Sequence, residues 1–294
     1  MNVGKAQPSI LAPVPPLGRA LTFSLKPGAD SSSSLRTLRD TFSLDWGVVG
    51  IGEPVTRAFG RTIAGLRAFP TLSGQGVKVP STQQALWVFL RGDDRGVLFD
   101  LSERARALVE GAFELQDVLD TFMYAGGRDL TGYVDGTENP KGEAAVDAAI
   151  VSNGDRMVGS SFVAVQRWVH DLSRFRGFTP EGRDAVMGRQ LKTNEEIGDA
   201  PPSAHVKRSA QESFDPTAFM LRRSMPWAAA LEQGLEFIAY GESLDRYEWV
   251  LKRMIGTEDG IVDGLFTFSR PVTGSYYWCP PVDEGRLDFR RLGL

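Results

Sequence analysis

Imidazole and thiol groups are scarce in this chain, and that scarcity limits the chemistry it can carry. Its 294 residues include two histidines, His170 and His205, and a single cysteine, Cys279. Those side chains cannot complete a Cys/His zinc site within one chain. A carboxylate-rich metal site stays open, whereas a function resting on several histidines is ruled out. Imidazole chemistry, whether metal ligation or proton transfer near neutral pH, therefore falls on His170 or His205. His170 is the middle residue of Trp168-Val169-His170-Asp171-Leu172, at the end of a strand-like segment. His205 lies in a proline-bearing loop beside Lys207 and Arg208. The bland alternatives are a structural histidine at 170 and a solvent-facing loop histidine at 205. A second concentration of chemistry is Arg128-Asp129-Leu130-Thr131-Gly132-Tyr133-Val134-Asp135-Gly136-Thr137-Glu138-Asn139-Pro140. Two glycines, an Asp-Gly step and a closing Asn-Pro make this a loop, and most Asp-Gly steps only shape a turn. The order of this segment is more particular than a turn requires.

The elements that would hold these groups occur twice. Leu21, Phe23 and Leu25 alternate with Thr22 and Ser24, the period of a half-buried strand, and Leu35 to Phe42 resumes with helical spacing. Leu86 to Leu90 is a nearly continuous apolar run, which predicts a strand covered on both faces. The Gly92 to Gly96 segment turns the chain, and Val97 to Phe99 is read as the paired strand. Asp100 and Glu103 have capping-box spacing ahead of a long helix carrying Leu101, Ala105, Leu108, Ala112, Leu115, Leu119 and Phe122. In the second half, Ser161 to Trp168 alternates as a strand, and Thr179-Pro180-Glu181 opens a helix. Ala218 to Leu221 and Leu235 to Tyr240 are strands, and Ser243 caps a helix carrying Leu244, Tyr247, Leu251 and Met254. Strand, helix, strand, strand, helix in each half is the plan of a ferredoxin-like unit. The expected fold is therefore α+β, two such units with helices covering antiparallel sheets, in the manner of a dimeric barrel. The units are placed at 1–145 and 146–294, with the boundary inside the polar stretch 141–156.

Thirty-three basic and 37 acidic residues leave a net charge of -4 and a pI near 5.4. That balance argues against a nucleic-acid partner, whose phosphates attract a basic surface. One cysteine permits no internal disulfide, so no oxidising compartment is needed. No run of eighteen uncharged apolar residues predicts a membrane span. The apolar stretch from Ile10 to Pro16 is too short and proline-broken for a signal-peptide core, and reads as an extended arm. Cytoplasmic residence is the expectation.

The loop segment resembles the signature of the dye-decolourising haem peroxidases, specifically their B-type branch. Their Gly-x-x-Asp-Gly pattern is matched by Gly132-Tyr133-Val134-Asp135-Gly136, and the match extends through Arg128-Asp129 on one side and Thr137 to Pro140 on the other. Three further blocks fall in the family's order: Ile10 to Pro16, Pro202-Ser203-Ala204-His205-Val206-Lys207-Arg208, and Leu221-Arg222-Arg223-Ser224-Met225-Pro226. The resemblance runs from about residue 8 to residue 282, and its fold is a pair of ferredoxin-like domains.

The resemblance implies a haem b cofactor, with His205 as the proximal iron ligand and the opposite face open to hydrogen peroxide. It implies that Asp135 shuttles the peroxide proton and that Arg222 stabilises charge on the leaving hydroxide. Asp263, within Gly260 to Ser269, resembles the acidic partner of the proximal histidine, although some members carry an acid where this chain has Thr267. Arg189 resembles a residue pairing with a haem propionate. Gly136, Thr137 and Ser224 complete the expected cofactor contacts, and Ser224 stands where some B-type members have asparagine. The resemblance further implies oxidation of dyes and phenolics, and a homo-oligomer, dimeric or larger. Some B-type members ride inside encapsulin shells through a C-terminal tail. Here Arg286 to Leu294 is short, and a frayed terminus is the plainer reading. The alternatives in function are a haem carrier or haem-processing protein on the same scaffold, and a haem-free assembly module.

Overall fold

A computed structural model describes residues 3–294. Its first half contains β1 (Leu17–Leu25), α1 (Ser32–Thr41), β2 (Gly47–Gly52), β3 (Leu86–Gly92), α2 (Arg95–Val109) and β4 (Phe113–Phe122). After α3 (Glu143–Ala149), the second half contains β5 (Ser161–His170), α4 (Pro180–Met187), β6 (Leu221–Arg222), β7 (Met225–Ala228), β8 (Gln233–Gly241), α5 (Asp245–Met254), β9 (Ser269–Pro271) and β10 (Ser275–Cys279).

The strands form one antiparallel ten-stranded sheet in the order β4-β1-β3-β2-β10-β5-β8-β6, with β9 on β5 and β7 on β8. Each half places its strands in the order fourth, first, third, second, the ferredoxin-like arrangement. The halves join where β10 meets β2, pairing Tyr277 with Gly52 and Trp278 with Ile51. The sheet curls until its ends meet: Thr121 Oγ1 of β4 donates to Met225 Sδ of β7 at 3.4 Å, and Arg167 of β5 pairs with Asp117 of β4. Both faces are buried. One packs Leu21, Phe23, Val88 and Leu90 against Leu35 and Leu38 of α1 and Leu98 of α2. The inner face packs Trp87, Phe89, Val163, Tyr240 and Tyr277 with Ile10 and Ala149. A strand with two apolar neighbourhoods has no reason to alternate, which is why 86–90 is a continuous apolar run.

Several sequence expectations are corrected. Val97 to Phe99 is helical, because Asp94 Oδ1 accepts the Val97 N–H at 2.9 Å and starts α2 at Arg95. Val97 and Phe99 are then the exposed side of that helix, with Leu98 buried. The long helix ends at Val109, and Phe113–Phe122 is a strand paired to β1. Its spacing of Leu115, Leu119 and Phe122 also fits a helical face, so periodicity misled there. β2 was missed because Gly-Val-Val-Gly-Ile-Gly reads as a turn. Gly50 is required by packing, since a side chain there would meet Tyr277 Cβ at 2.8 Å. The short strand read at 218–221 is instead β6 at Leu221–Arg222, followed by β7. The first arm is not wholly extended: Pro8–Leu11 forms a helical turn with Ile10 fully buried. The end of the chain is not frayed, since Phe289 and Leu292 are buried in the core. The suggested boundary at 145/146 falls inside α3, whose Ala148 and Ala149 are buried. Among the described residues, no helix is long and apolar enough to cross a membrane.

Candidate active site

Between β5 and β6 the chain runs from residue 171 to 220 in short helices and loops, and a cavity of about 360 Å³ opens beneath them. Asp135, Gly136, Thr137, Arg189, His205 and Arg222 all line it. An inner extension of about 90 Å³ is apolar, walled by Trp168, Leu235, Phe237, Val250, Leu251 and Met254. Past Asp135 and Arg222, a narrower passage of about 70 Å³ is lined by Met123, Tyr124, Asn139, Ser224 and Met225. Asp135 and Arg222 therefore border all three spaces, whereas His205 borders only the first two.

The loop bearing Asp135 is tied down at both ends. Arg128 Nη1 donates to the Gly132 carbonyl at 2.7 Å, and the Asp135 N–H donates to the Gly127 carbonyl at 3.1 Å. Tyr133 is buried and donates its phenol proton to Asp184 of α4. At the far end, Asn139 clamps the backbone of Arg222: Oδ1 accepts its N–H at 2.8 Å and Nδ2 donates to its carbonyl at 3.0 Å. Gly136 has φ of +72°, a left-handed conformation, and a Cβ there would lie 2.6 Å from Asn139 Nδ2. The signature thus delivers a carboxylate and holds a guanidinium-bearing strand in one stroke.

The surface that Asp135 exposes faces the cavity. Burial drives its carboxyl above the ordinary range, the Arg222 charge opposes this, and the like charge of Asp129 reinforces it. Arg222 Nε is buried without a hydrogen-bond partner. Arg223 faces elsewhere, its guanidinium donating to the Ala12 and Leu11 carbonyls.

His205 opens a single helical turn, His205–Arg208. Its Nδ1 lies 2.8 Å from Asp263 Oδ2, and the Asp263 side chain has no exposed surface. The other oxygen of Asp263 accepts the Leu265 N–H at 2.8 Å, which fixes the carboxylate's orientation. Thr267 instead donates to the Gly264 carbonyl within its own 3-10 turn. With Nδ1 committed, Nε2 is the His205 nitrogen left for a metal. Arg189 sits at the mouth, paired with Glu138 at 2.7 Å and Glu196 at 3.4 Å. Thr137 Oγ1 accepts from Asn194 Nδ2 at 3.1 Å. Ser224 lines the narrow passage and not the main cavity, and its hydroxyl accepts the Ile238 N–H at 3.3 Å.

The structure therefore brings Asp135, Gly136, Thr137, Arg189, His205 and Arg222 to one cavity, with Asp263 behind His205 and Ser224 in the adjoining passage. Sequence reasoning gave Asn139 and Asp129 no role beyond the extended match, and read His170 as a structural, hydrogen-bonded histidine, which its contacts with Ser269 and Asp129 match. The available signal was that Asp129 and Asn139 stand at the two ends of one segment. A free imidazole nitrogen backed by a carboxylate, an orphaned buried guanidinium nitrogen and an apolar inner wall suit a flat, largely apolar cofactor carrying a metal.

Comparison with known proteins gives the chain's relatives. The family model described as Dyp-type peroxidase, C-terminal, matches residues 126–284. A dye-decolorizing peroxidase of Mycolicibacterium paratuberculosis is 30% identical over 306 aligned positions, covering 96% of this chain and 86% of that protein. One from Rhodococcus erythropolis is 34% identical over 245 positions, covering 80% and 72%. Among solved structures, a variant of DypB from Rhodococcus jostii RHA1 in complex with heme matches with a TM-score of 0.85 at 27% identity, covering 92% of this chain and 95% of that one.

Proposed function

Because the chain belongs to the Dyp-type, or dye-decolourising, peroxidase family, a family of haem enzymes acting on hydrogen peroxide, we propose that Asp135, Arg222 and His205 are the residues that carry that activity here. The observation that supports the assignment is their convergence on one cavity with complementary environments. Bound haem would supply the iron at which hydrogen peroxide is reduced, with an organic donor giving up the electrons. His205 would hold the iron through Nε2, its Nδ1 proton donated to Asp263. Asp135 takes the peroxide proton, and a carboxyl raised by burial is a better base near working pH than an exposed one. Arg222, a permanent cation, stabilises negative charge developing on the departing oxygen. The inner wall of Trp168, Leu235, Phe237 and Met254 would suit the apolar part of the cofactor. Arg189, already beside Glu138 and Glu196, is the cation nearest to the role of holding a cofactor carboxylate at the mouth. The donor class is dyes and phenolics, and the likeness to DypB puts the chain with the B-type branch. A dimer or larger homo-oligomer belongs to this reading and is checked by sedimentation.

The test is peroxide-driven turnover of an anthraquinone dye at mildly acidic pH by haem-loaded Asp135→Ala and Arg222→Ala. Loss of a positioned acid-base group predicts a fall of roughly 10²–10⁴-fold for Asp135→Ala with haem retained. Unchanged rates in both variants refute the assignment. A fully loaded wild-type protein without turnover would place the chain with haem carriers instead.

A further inference from the structure

His170 has no part in the chemistry above, yet it is a side-chain contact through which the second half of the sheet reaches the Asp135 loop. It ends β5 with its side chain buried. Both ring nitrogens are engaged: Nδ1 with Ser269 Oγ at 2.6 Å, and Nε2 with Asp129 Oδ2 at 3.2 Å. Ser269 stands directly opposite His170 in the β5–β9 register, so strand pairing fixes one side of the ring. The other oxygen of Asp129 accepts from the Thr131 N–H at 2.8 Å and the Thr131 hydroxyl at 2.6 Å. The Asp129 backbone then closes the loop, donating to the Tyr133 carbonyl at 2.9 Å and accepting from Gly132 at 2.8 Å. His170, Asp129 and Asp135 all line the main cavity.

A loop anchor alone needs no ionisable pair, since an amide would make the same hydrogen bonds without bringing a charge into a low-dielectric site. We propose that His170, acting through Asp129, is a positioning residue that sets the protonation of Asp135. The imidazole N–H holds Asp129 ionised and offsets part of the negative charge that Asp129 presents to Asp135. The groups facing Asp135 are Arg222 from β6, His205 from its helical turn and Asp129 from its own loop. Lys207, Arg189 and Glu212 stand at the cavity wall, and Glu138 and Glu196 there are paired with Arg189. Asp129 is thus the negative group within the site whose charge another titratable residue controls. Its own titration fits that role: burial alone would raise its carboxyl, but hydrogen bonds from His170 and Thr131 carry it below the ordinary range.

The inference rests on Asp135 being the proton acceptor, and the experiment separates the two. The pH dependence of kcat/KM for hydrogen peroxide is measured in haem-loaded wild type, Asp129→Asn, His170→Gln and Asp135→Asn. Asp129→Asn keeps an oxygen for Thr131 and removes the like charge, so the acid limb moves to lower pH by about 1 unit. His170→Gln leaves the Asp129 charge less compensated, so the limb moves to higher pH. Infrared titration of the protonated carboxyl band lost in Asp135→Asn should show the same opposite displacements without turnover. Limbs that stay in place while rates fall at every pH, limbs that move in the same direction, or a shift confined to Asp129→Asn each overturn the role of His170. A wild-type limb persisting in Asp135→Asn refutes instead the reading of Asp135. Should His170→Gln fail to retain haem, His170→Asn, which keeps a side-chain N–H, takes its place.

Discussion

Asp263→Asn alters one charge and almost no volume behind His205, so it isolates what the carboxylate contributes. In the wild type, the 2.8 Å contact joins a side chain with no exposed surface to a histidine that keeps 26% of its own. Solvent screening at the carboxylate is therefore slight. The asparagine can keep its oxygen on the Leu265 N–H, but it then turns an NH2 donor toward His205 Nδ1. Donor meeting donor forces the imidazole proton onto Nε2, the nitrogen needed for iron, or else the hydrogen bond is lost. A buried hydrogen bond to a charged group is worth roughly 1.5–3 kcal/mol. Second-layer partners of ligating histidines typically change metal affinity by about 10–100-fold, or about 1.4–2.7 kcal/mol. The two estimates agree, so haem affinity is expected to fall by one to two orders of magnitude. The assay is titration of haem into the apoprotein followed by its main absorption band, with His205→Ala as the limiting case. Affinity within about twofold of wild type would refute the reasoning, because the loss of this contact then carries no weight at the ligand.

Three further outcomes follow from the geometry. Asn139→Ala removes both hydrogen bonds to the Arg222 backbone and should cost about 1–3 kcal/mol of stability. It should also lower kcat/KM for peroxide by at least about tenfold, since Arg222 is no longer held against the Asp135 loop; wild-type kinetics would count against the clamp. Gly136→Ala places a side chain at positive φ and against the Asn139 amide, costing about 1–2 kcal/mol in chemical denaturation, with a fall in activity parallel to that of Asn139→Ala. Glu236, buried in β8 beside Arg167, has its carboxyl raised by burial from 4.5 to about 7, with the Arg167 charge opposing the shift. The folded state holds this proton more tightly than the unfolded chain, so the stability it contributes is present below about pH 4.5 and is lost as pH rises through about 7. The loss is at most about 3 kcal/mol. Thermal unfolding of Glu236→Gln should therefore depend less steeply on pH over that window, and identical slopes would refute the shift.

How much of this was legible in the sequence depended on whether a residue acts within its own segment or across the fold. The Gly-x-x-Asp-Gly segment marks Asp135 through the family resemblance, since a single contiguous stretch carries the whole pattern. The two-histidine count narrowed the ligand to two residues, and the family resemblance selected His205 and Arg222 by the blocks in which they lie. Asp263 and Thr267 were harder to separate, four positions apart in one bend. The structure distinguishes them by where each side chain spends its hydrogen bonds. The partners of Asn139 and His170 were not legible, since one acts on the backbone of residue 222 and the other on a loop 41 positions earlier. The misread elements have a similar cause. Phe113–Phe122 pairs with β1 across a bulge between Thr22 and Phe23, and its apolar spacing satisfies a helix as readily as an edge strand. The glycines of β2 mark close sheet packing, and sequence alone reads them as a turn.

The duplication also explains why the cavity forms in one half only. In the first half, residues 26–46 carry the chain from β1 to β2 through α1, whose Leu35 and Leu38 fill the sheet face beside Leu21 and Phe23. α2 covers the rest of that face, and the result is a closed core. In the second half α5 takes the place of α2, packing Val250, Leu251 and Met254 over β5 and β8. The counterpart of α1 is missing, because residues 171–220 form short helices that arch over the sheet. Gln166, Trp168, Leu235 and Phe237 are consequently left as a wall with space above them. The arch supplies His205 and Arg189, the loop from the first half supplies Asp135, and β6 supplies Arg222. A helix packed as in the first half would fill this volume with leucine side chains and leave no room for a cofactor. The site thus arises where the repeat departs from its own pattern, with the 128–140 loop reaching into it from the first half.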